Sequence, residues 1–374
     1  MSRNETTQND LDNTGFFERF VSHASNTTDG AIGTRAGFGA LRNFQSVSDN
    51  SIRLAIDSGF FAPPREKGDE PWIGTFDPEF WHFYGRRYPR QQFRHFVNRV
   101  LSSPSYYHPR CMWALFWALA KAEHEFLFRY VPFWSHEEQL TGHFVSQIME
   151  RTHDFKELWL DLDLQQFGEK TSELKIYYAD TAAGRREALT GADLGFIVHA
   201  VLPKQREFFK VARFQAKKVS RSGNARIDLD QTRALMRRPE LGYYLFYHFL
   251  DEKTWSLAPT VGEASNYKQK VEEVEEIEKK NEKRPKEKLG EVSLPARSDG
   301  YDFATFVTFG LSDPAAEHGV MTSSPTEALR VLMAGTEALS EPSRVMIVTL
   351  GSPPQPPDWN EILREHIGYQ LDGE

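Results

Sequence analysis

The chain has 374 residues with a formal net charge of -8 at pH 7, and 26% of its residues are charged. Aromatic residues make up 13% of the chain, including 28 Phe and 8 Trp, which excludes an intrinsically disordered protein. The acidic balance excludes a uniformly basic nucleic-acid coat. This length permits one large or two ordinary domains.

Cys111 is the only cysteine, which excludes an intrachain disulfide and a zinc site built from cysteines. The polar segment Met1 to Asn13 lacks the apolar core of a signal peptide, and no run of about 18 apolar residues occurs. We therefore expect a soluble, cytoplasmic protein with no membrane partner.

Residues 1–134 are predicted to form a mostly helical N-terminal region whose first ~13 residues are flexible. The segment from Cys111 to Arg129 is apolar nearly all round at its start, which indicates a buried helix. We interpret this region as a packing or partner-binding module. A second domain of mixed α and β structure is expected over residues 135–374.

The next helix is expected to open at Ser135, which has capping-box spacing to Glu138. At about 100° per residue, Glu137 lies near the centre of the apolar stripe and Glu138 toward its edge. An acid that points at the core requires a functional or structural reason. Capping and surface charge are the alternative roles of this pair.

Three strands are predicted after this helix, at Leu174 to Tyr178, Leu194 to Leu202 and Phe208 to Val219. In the third strand Gln215 and Lys217 point to the same face, because strand side chains alternate with a period of two. If the second and third strands form a hairpin, these two side chains and Asp193 reach one edge of the sheet. A carboxylate and an amide oxygen there could ligate a hard divalent cation, beside a lysine that stabilises charge on a phosphate.

The sequence Gly191-Ala192-Asp193, an apolar strand, and then Gln215-Ala216-Lys217 about twenty residues later resembles the PD-(D/E)XK nuclease superfamily. It is most similar to the bacterial restriction and phage-defence branch, in which Gln replaces the middle acid. In this chain Ala192 stands where the family's proline would be. The resemblance covers roughly residues 135–250.

The resemblance implies a restriction-endonuclease-like α/β (α+β) fold, a mixed central sheet flanked by helices, and DNA cleavage with Mg²⁺ or Mn²⁺. It assigns Asp193, Gln215 and the Ala216 carbonyl to the metal, and Lys217 to charge stabilisation. A helix before the sheet often supplies one more acid to the metal cluster in this family, which here would be Glu137 or Glu138, with Glu150 as a third choice. It also implies a role in restriction or anti-phage defence.

Residues 201–240 form a basic block, with eleven Lys or Arg against four Asp or Glu. Because the block begins at the expected site, it could hold phosphates, although a solvated surface is the plainer interpretation. The residues expected to contact nucleic acid are Arg185, Arg186, Arg213, Lys218 and Arg221.

The segment from Glu263 to Lys288 holds eight Glu and eight Lys or Arg, which predicts an exposed charged helix within an insertion over residues 263–295. Farther on, Val345 to Leu350 predicts a strand and Trp359 to Ile367 a helix. We expect this C-terminal section to pack on the nuclease-like sheet.

Two other functions fit the same sequence. One is a non-cutting nucleic-acid-binding or assembly subunit, since the amide of Gln215 is a weaker metal ligand than a carboxylate. The other is a scaffold, which a gap of more than ~10 Å between Asp193 and Lys217 would favour. No Walker A string is present, so any nucleotide-driven step needs a partner ATPase or sensor. Double-strand cutting with one site per chain would favour a homodimer.

Overall fold

A computed structural model describes residues 50–51, 54–55, 110–131, 135–155, 173–180, 192–202, 206–248, 258–280, 291–296, 300–333, 342, 344–351 and 356–367. The helices are α1 (Arg110–Arg129), α2 (Glu137–Phe155), α3 (Leu229–Met236), α4 (Ser265–Lys280), α5 (Phe303–Thr305), α6 (Pro325–Met333) and α7 (Trp359–Ile367), with a π-helical turn at Phe306–Leu311. The strands are β1 (Leu174–Asp180), β2 (Leu194–Val201), β3 (Phe208–Val219), β4 (Asn224–Asp228), β5 (Gly242–His248), β6 (Thr260–Glu263), β7 (Glu291–Pro295), β8 (Tyr301–Asp302), β9 (Val320–Thr322) and β10 (Arg344–Gly351).

The described strands form one mixed, open sheet in the order β1-β10-β2-β3-β5-β6-β8, while β4 and β9 pair with β3, and β7 pairs with β4. The protein is therefore of mixed α and β class, as expected. β2 and β3 form the predicted antiparallel hairpin, in which Leu194 lies opposite Phe214. β5 runs parallel to β3 on its other side. No helix in the described ranges is long and apolar enough to cross a membrane.

Side chains of β3 alternate between the two faces of the sheet, as the period of two predicts. Ala212, Phe214 and Ala216 belong to a core with α1 and α2. Val211 belongs to a second core with α6 and α7, and Val219 to a third with α3 and α4. Because both faces of the sheet are covered, its central strands can be apolar on both sides, which explains the continuous apolar run of β2.

Helix α1 packs against α2 and the sheet in the first core, with Trp113, Phe126 and their neighbours fully or almost fully buried. Residues 50 and 51 also contact the sheet region, since the Ser51 hydroxyl accepts a hydrogen bond from the backbone N–H of Asp302 at 3.0 Å. The predicted boundary at residue 134 therefore lies between two helices that share one core.

The C-terminal section does more than pack on the sheet. β10 lies inside it, antiparallel to β1 and parallel to β2, with Arg344 paired to Leu194. Hydrophobic periodicity identified the strand but could not reveal its neighbours, because they lie far away in sequence. In the charged segment, the predicted helix is α4, and it is not exposed all round, because its residues Tyr267 and Val271 are buried against the sheet.

Candidate functional site

The site lies where β3 extends beyond its neighbour β2. The hairpin pairing ends at Leu194 and Phe214, and the backbone N–H of Asp193 donates to the Phe214 carbonyl at 2.8 Å. Beyond that point Asp193 Oδ2 accepts hydrogen bonds from the backbone N–H of Ala216 at 2.8 Å and from Gln215 Nε2 at 2.6 Å. Beyond Phe214, the Asp193 carboxylate therefore takes the place of the β2 backbone as the hydrogen-bond acceptor for β3.

The first residue of α2 reaches the same strand. Glu137 Oε1 accepts a hydrogen bond from the backbone N–H of Lys218 at 2.9 Å, and its Oε2 lies 3.7 Å from Lys217 Nζ. The Lys218 ammonium in turn donates to the Ser135 carbonyl at 3.1 Å. These contacts tie the N-terminal end of α2 to the end of β3. We call Glu137, Asp193, Gln215, Ala216 and Lys217 the Asp193 cluster.

Lys217 is almost buried, with 7% of its surface exposed. Its ammonium donates to Gln231 Oε1 on α3 at 2.7 Å and lies near Glu137. A buried ammonium needs such partners, because the loss of water around an unpaired charge is costly. Our sequence interpretation missed Gln231, since nothing in the local pattern marks one polar residue of a short amphipathic helix as a partner of Lys217.

Burial raises the pKa of Asp193 to about 6, despite the Ala216 N–H and the charge of Lys217, which lower it. The neighbouring charge of Glu137 adds to the increase, while the charge of Arg344 opposes it. A nearby cation stabilises a buried carboxylate more than a solvated one, because little water competes for the charge of the buried group.

Glu138 does not join the cluster. Its side chain is 54% exposed, and its Oε1 lies 3.6 Å from Arg344 Nη2. Glu137 is therefore the acid of this pair that reaches β3, and a role for Glu138 at the site stays a prediction. The difference follows from helix geometry, since residues adjacent in sequence point about 100° apart.

Of the residues expected to contact nucleic acid, Arg213 does not reach the surface. It is 5% exposed, and its Nε and Nη2 donate to the carbonyls of Leu332 and Val331 on α6. That expectation is wrong because the face of β3 that carries Arg213 is covered by α6. Arg221 is exposed and Lys218 is partly exposed. Arg185 and Arg186 lie outside the described residues.

The cluster offers oxygen donors that suit a hard divalent cation, namely the Asp193 carboxylate, the Gln215 amide oxygen and the Ala216 carbonyl. Gln215 turns its Nε2 toward Asp193, so its amide must rotate to present oxygen on that side. Within the described part of the chain no group of three or more His, Cys, Asp or Glu is arranged to hold a metal. The donor set fits Mg²⁺ or Mn²⁺ only if amide and backbone oxygens take part.

Comparisons with protein families, with curated proteins and with solved structures found no match to this chain. The geometry of the Asp193 cluster is therefore the principal basis for a functional proposal.

Proposed function

We propose that the protein is a metal-dependent nuclease that hydrolyses phosphodiester bonds of DNA. One observation carries this proposal, which is the meeting of Asp193, Gln215, Lys217 and Glu137 at the end of β3. Their order and spacing resemble those of the nuclease superfamily, with Ala192 in place of its proline and Gln215 in place of its middle acid. The Asp193 carboxylate reaches the backbone of Ala216, next to Lys217, which argues against a scaffold in which these residues are scattered.

In the proposed mechanism Asp193, Gln215 and the Ala216 carbonyl would hold Mg²⁺ or Mn²⁺. The bound ion would act as a Lewis acid on a phosphate oxygen and lower the pKa of a water molecule. Lys217 stabilises the negative charge that develops on the phosphate, and Gln231 keeps its ammonium in place. Glu137 positions the end of β3 through the N–H of Lys218.

Exposed basic side chains near this end of the sheet could hold the rest of the DNA backbone. Arg221 and Arg226 are exposed on the turn after β3 and on β4, and Arg233 and Arg237 are exposed on and just after α3, the helix that carries Gln231. Phosphate contacts of this kind give affinity without sequence information. A cytoplasmic role in restriction or phage defence, with a partner ATPase or sensor, rests on the resemblance alone.

The test is cleavage of plasmid and linear DNA in Mg²⁺, Mn²⁺ or EDTA by the wild type, Asp193→Ala and Lys217→Ala. Lys268→Ala serves as a control, because Lys268 is an exposed residue of α4 outside the cluster. We expect metal-dependent nicking by the wild type and the control, and none by the two cluster variants. Cleavage that persists in both cluster variants would reject this site.

A second candidate is a non-cutting subunit that binds nucleic acid. It is favoured by the contact of Gln215 Nε2 with Asp193, since an amide N–H already occupies one carboxylate oxygen. Calorimetric titration with Mn²⁺ separates the two candidates. Mn²⁺ binding that is lost in Asp193→Ala would support the nuclease. DNA binding without any Mn²⁺ binding would support the non-cutting subunit.

A further inference from the structure

Arg344 begins β10 and is almost completely buried, with 8% of its surface exposed. One of its terminal nitrogens, Nη2, lies 3.6 Å from Glu138 Oε1. Within the described residues the other, Nη1, is buried without a hydrogen-bond acceptor. A guanidinium carries five N–H donors and is always charged, so a buried donor without an acceptor is unfavourable, and an acceptor that reached it would gain a charge-assisted hydrogen bond.

The position of Arg344 puts this donor beside the Asp193 cluster. β10 and β2 are parallel, and Arg344 is paired with Leu194, the residue directly after Asp193. Arg344, at the start of β10, and Asp193, just before the start of β2, therefore lie at the same end of the sheet. The charge of Arg344 reaches the carboxyl group, since it lowers the pKa of Asp193 against the larger effect of burial.

The surrounding chain holds the guanidinium in place. Asp180 of β1 is the cross-strand partner of Arg344, and its Oδ2 lies 3.4 Å from the Tyr178 hydroxyl. On another side is the backbone of α2, where a Cβ added to Gly142 would lie 3.8 Å from Nη2. A preorganised side chain loses little conformational entropy when it binds a ligand.

We propose that Arg344 is a phosphate-binding residue, whose Nη1 donates to a non-bridging oxygen of a phosphodiester held beside Asp193. The choice of a nucleic-acid phosphate rests on the proposed nuclease function. Arginine suits this role, because its planar fork matches the oxygens of a phosphate and its charge makes the hydrogen bonds strong. Arg344 would thus bring a positive charge to the side of Asp193 opposite Lys217 on β3, since β10 and β3 flank β2.

A purely structural role is the plain alternative, in which Arg344 only offsets the negative charges of Asp193 and Glu138. Both roles predict that removing the guanidinium lowers stability. Only the binding role predicts that stability depends on phosphate through Arg344, because a ligand stabilises the folded state that binds it.

The experiment measures the melting temperature in inorganic phosphate and in chloride at matched ionic strength, with EDTA present. The variants are Arg344→Gln and the control Arg213→Gln, which removes another buried arginine whose donors are taken by backbone carbonyls. We expect phosphate to raise the melting temperature of the wild type and of Arg213→Gln. In Arg344→Gln the apparent phosphate affinity should fall by about ten-fold or more.

Glu138→Gln tests the same site without disturbing the core, because Glu138 is exposed. Removing the carboxylate that competes for Arg344 should raise phosphate affinity by about two- to five-fold. An unchanged affinity in Glu138→Gln would overturn the proposal even if Arg344→Gln does not fold. Equal phosphate effects in the wild type and Arg344→Gln, or no phosphate effect in the wild type, would also overturn it.

These titrations need neither metal nor cleavage, so they separate the two proposals. Arg344-dependent phosphate binding by a protein that cuts no DNA would reject the nuclease and retain the phosphate site. DNA cleavage together with a phosphate affinity that Arg344→Gln leaves unchanged would support the nuclease. It would also show that Arg344 does not bind phosphate.

Discussion

The carboxylate of Glu137 accepts a hydrogen bond from the backbone N–H of Lys218 at 2.9 Å, across 81 positions of the sequence. This contact fixes the start of α2 to the end of β3, at the strand position that follows Lys217. The acid on the helix is therefore tied to the backbone of the lysine strand, and its second oxygen lies near the Lys217 ammonium.

Glu137→Gln should slow DNA cleavage by about ten- to a hundred-fold and change Mn²⁺ affinity much less, because the amide oxygen still accepts from Lys218 but no longer carries charge beside Lys217. Single-turnover cleavage and Mn²⁺ calorimetry measure the two effects. Glu272→Gln is the matched control, since Glu272 is an exposed residue of α4 outside the cluster. If Glu137→Gln instead loses Mn²⁺ affinity in proportion to activity, Glu137 is a metal ligand.

Asp193→Asn should reduce metal-dependent cleavage by at least about a hundred-fold, because a neutral amide is a poor substitute for the principal metal-binding carboxylate. The Asp193→Asn variant should be at least as stable as the wild type. Its amide oxygen can still accept a hydrogen bond from the Ala216 N–H, and it places no second negative charge near Glu137. Cleavage assays and thermal unfolding of the same samples check both statements. A large loss of stability would mean that the charge of Asp193 serves the fold.

Lys210→Met should destabilise the protein by about 3 kcal/mol or more. Lys210 is 1% exposed, and its ammonium donates to the carbonyls of Asp313, Ala316 and Gly310 at 2.5, 2.6 and 3.2 Å. The methionine would leave these acceptors without their donor. Urea unfolding measures the change, and Lys175→Met on β1, whose side chain is 38% exposed, should stay within about 0.5 kcal/mol of the wild type.

Glu123 should make stability depend on pH. Burial raises its pKa well above the usual 4.5, with a further increase from the charge of Asp302, while the backbone N–H groups of Ala304 and Phe303 act in the opposite direction. The folded state therefore binds this proton more tightly than the unfolded state. The resulting stability is fully present below the unfolded pKa and is lost as the pH rises through the folded pKa.

Glu123→Gln removes this titration and keeps an oxygen that can accept from the Ala304 N–H, now at 2.9 Å from Glu123 Oε1. As the pH rises above the usual carboxyl pKa of 4.5, the free energy of unfolding of the wild type should fall relative to that of the variant. Urea unfolding at several pH values provides the comparison. Parallel pH profiles of the two proteins would show that the pKa of Glu123 is not raised.

Several elements follow from local sequence alone. The alternation of Arg213 to Lys217 predicted both the strand and the common direction of Gln215 and Lys217, because side chains along a strand alternate whatever its neighbours are. The apolar run after Asp193 and the helix from Trp359 to Ile367 are equally local signals. The π-helical turn at Phe306–Leu311 was not predicted, since Tyr301 to Phe309 fits a helix or a strand equally well by periodicity.

The sequence by itself determined the class of the fold and the residues Asp193, Gln215 and Lys217, because short-range periodicity and spacing define a strand and the residues at its end. Only the tertiary structure decided that β10 enters the sheet beside β2, that Gln231 accepts a hydrogen bond from Lys217, that Arg344 is paired with Leu194 and that Arg213 is covered by α6. Each of these depends on which distant segments pair or pack together, and strand pairing across more than a hundred residues leaves no periodic signal in either segment.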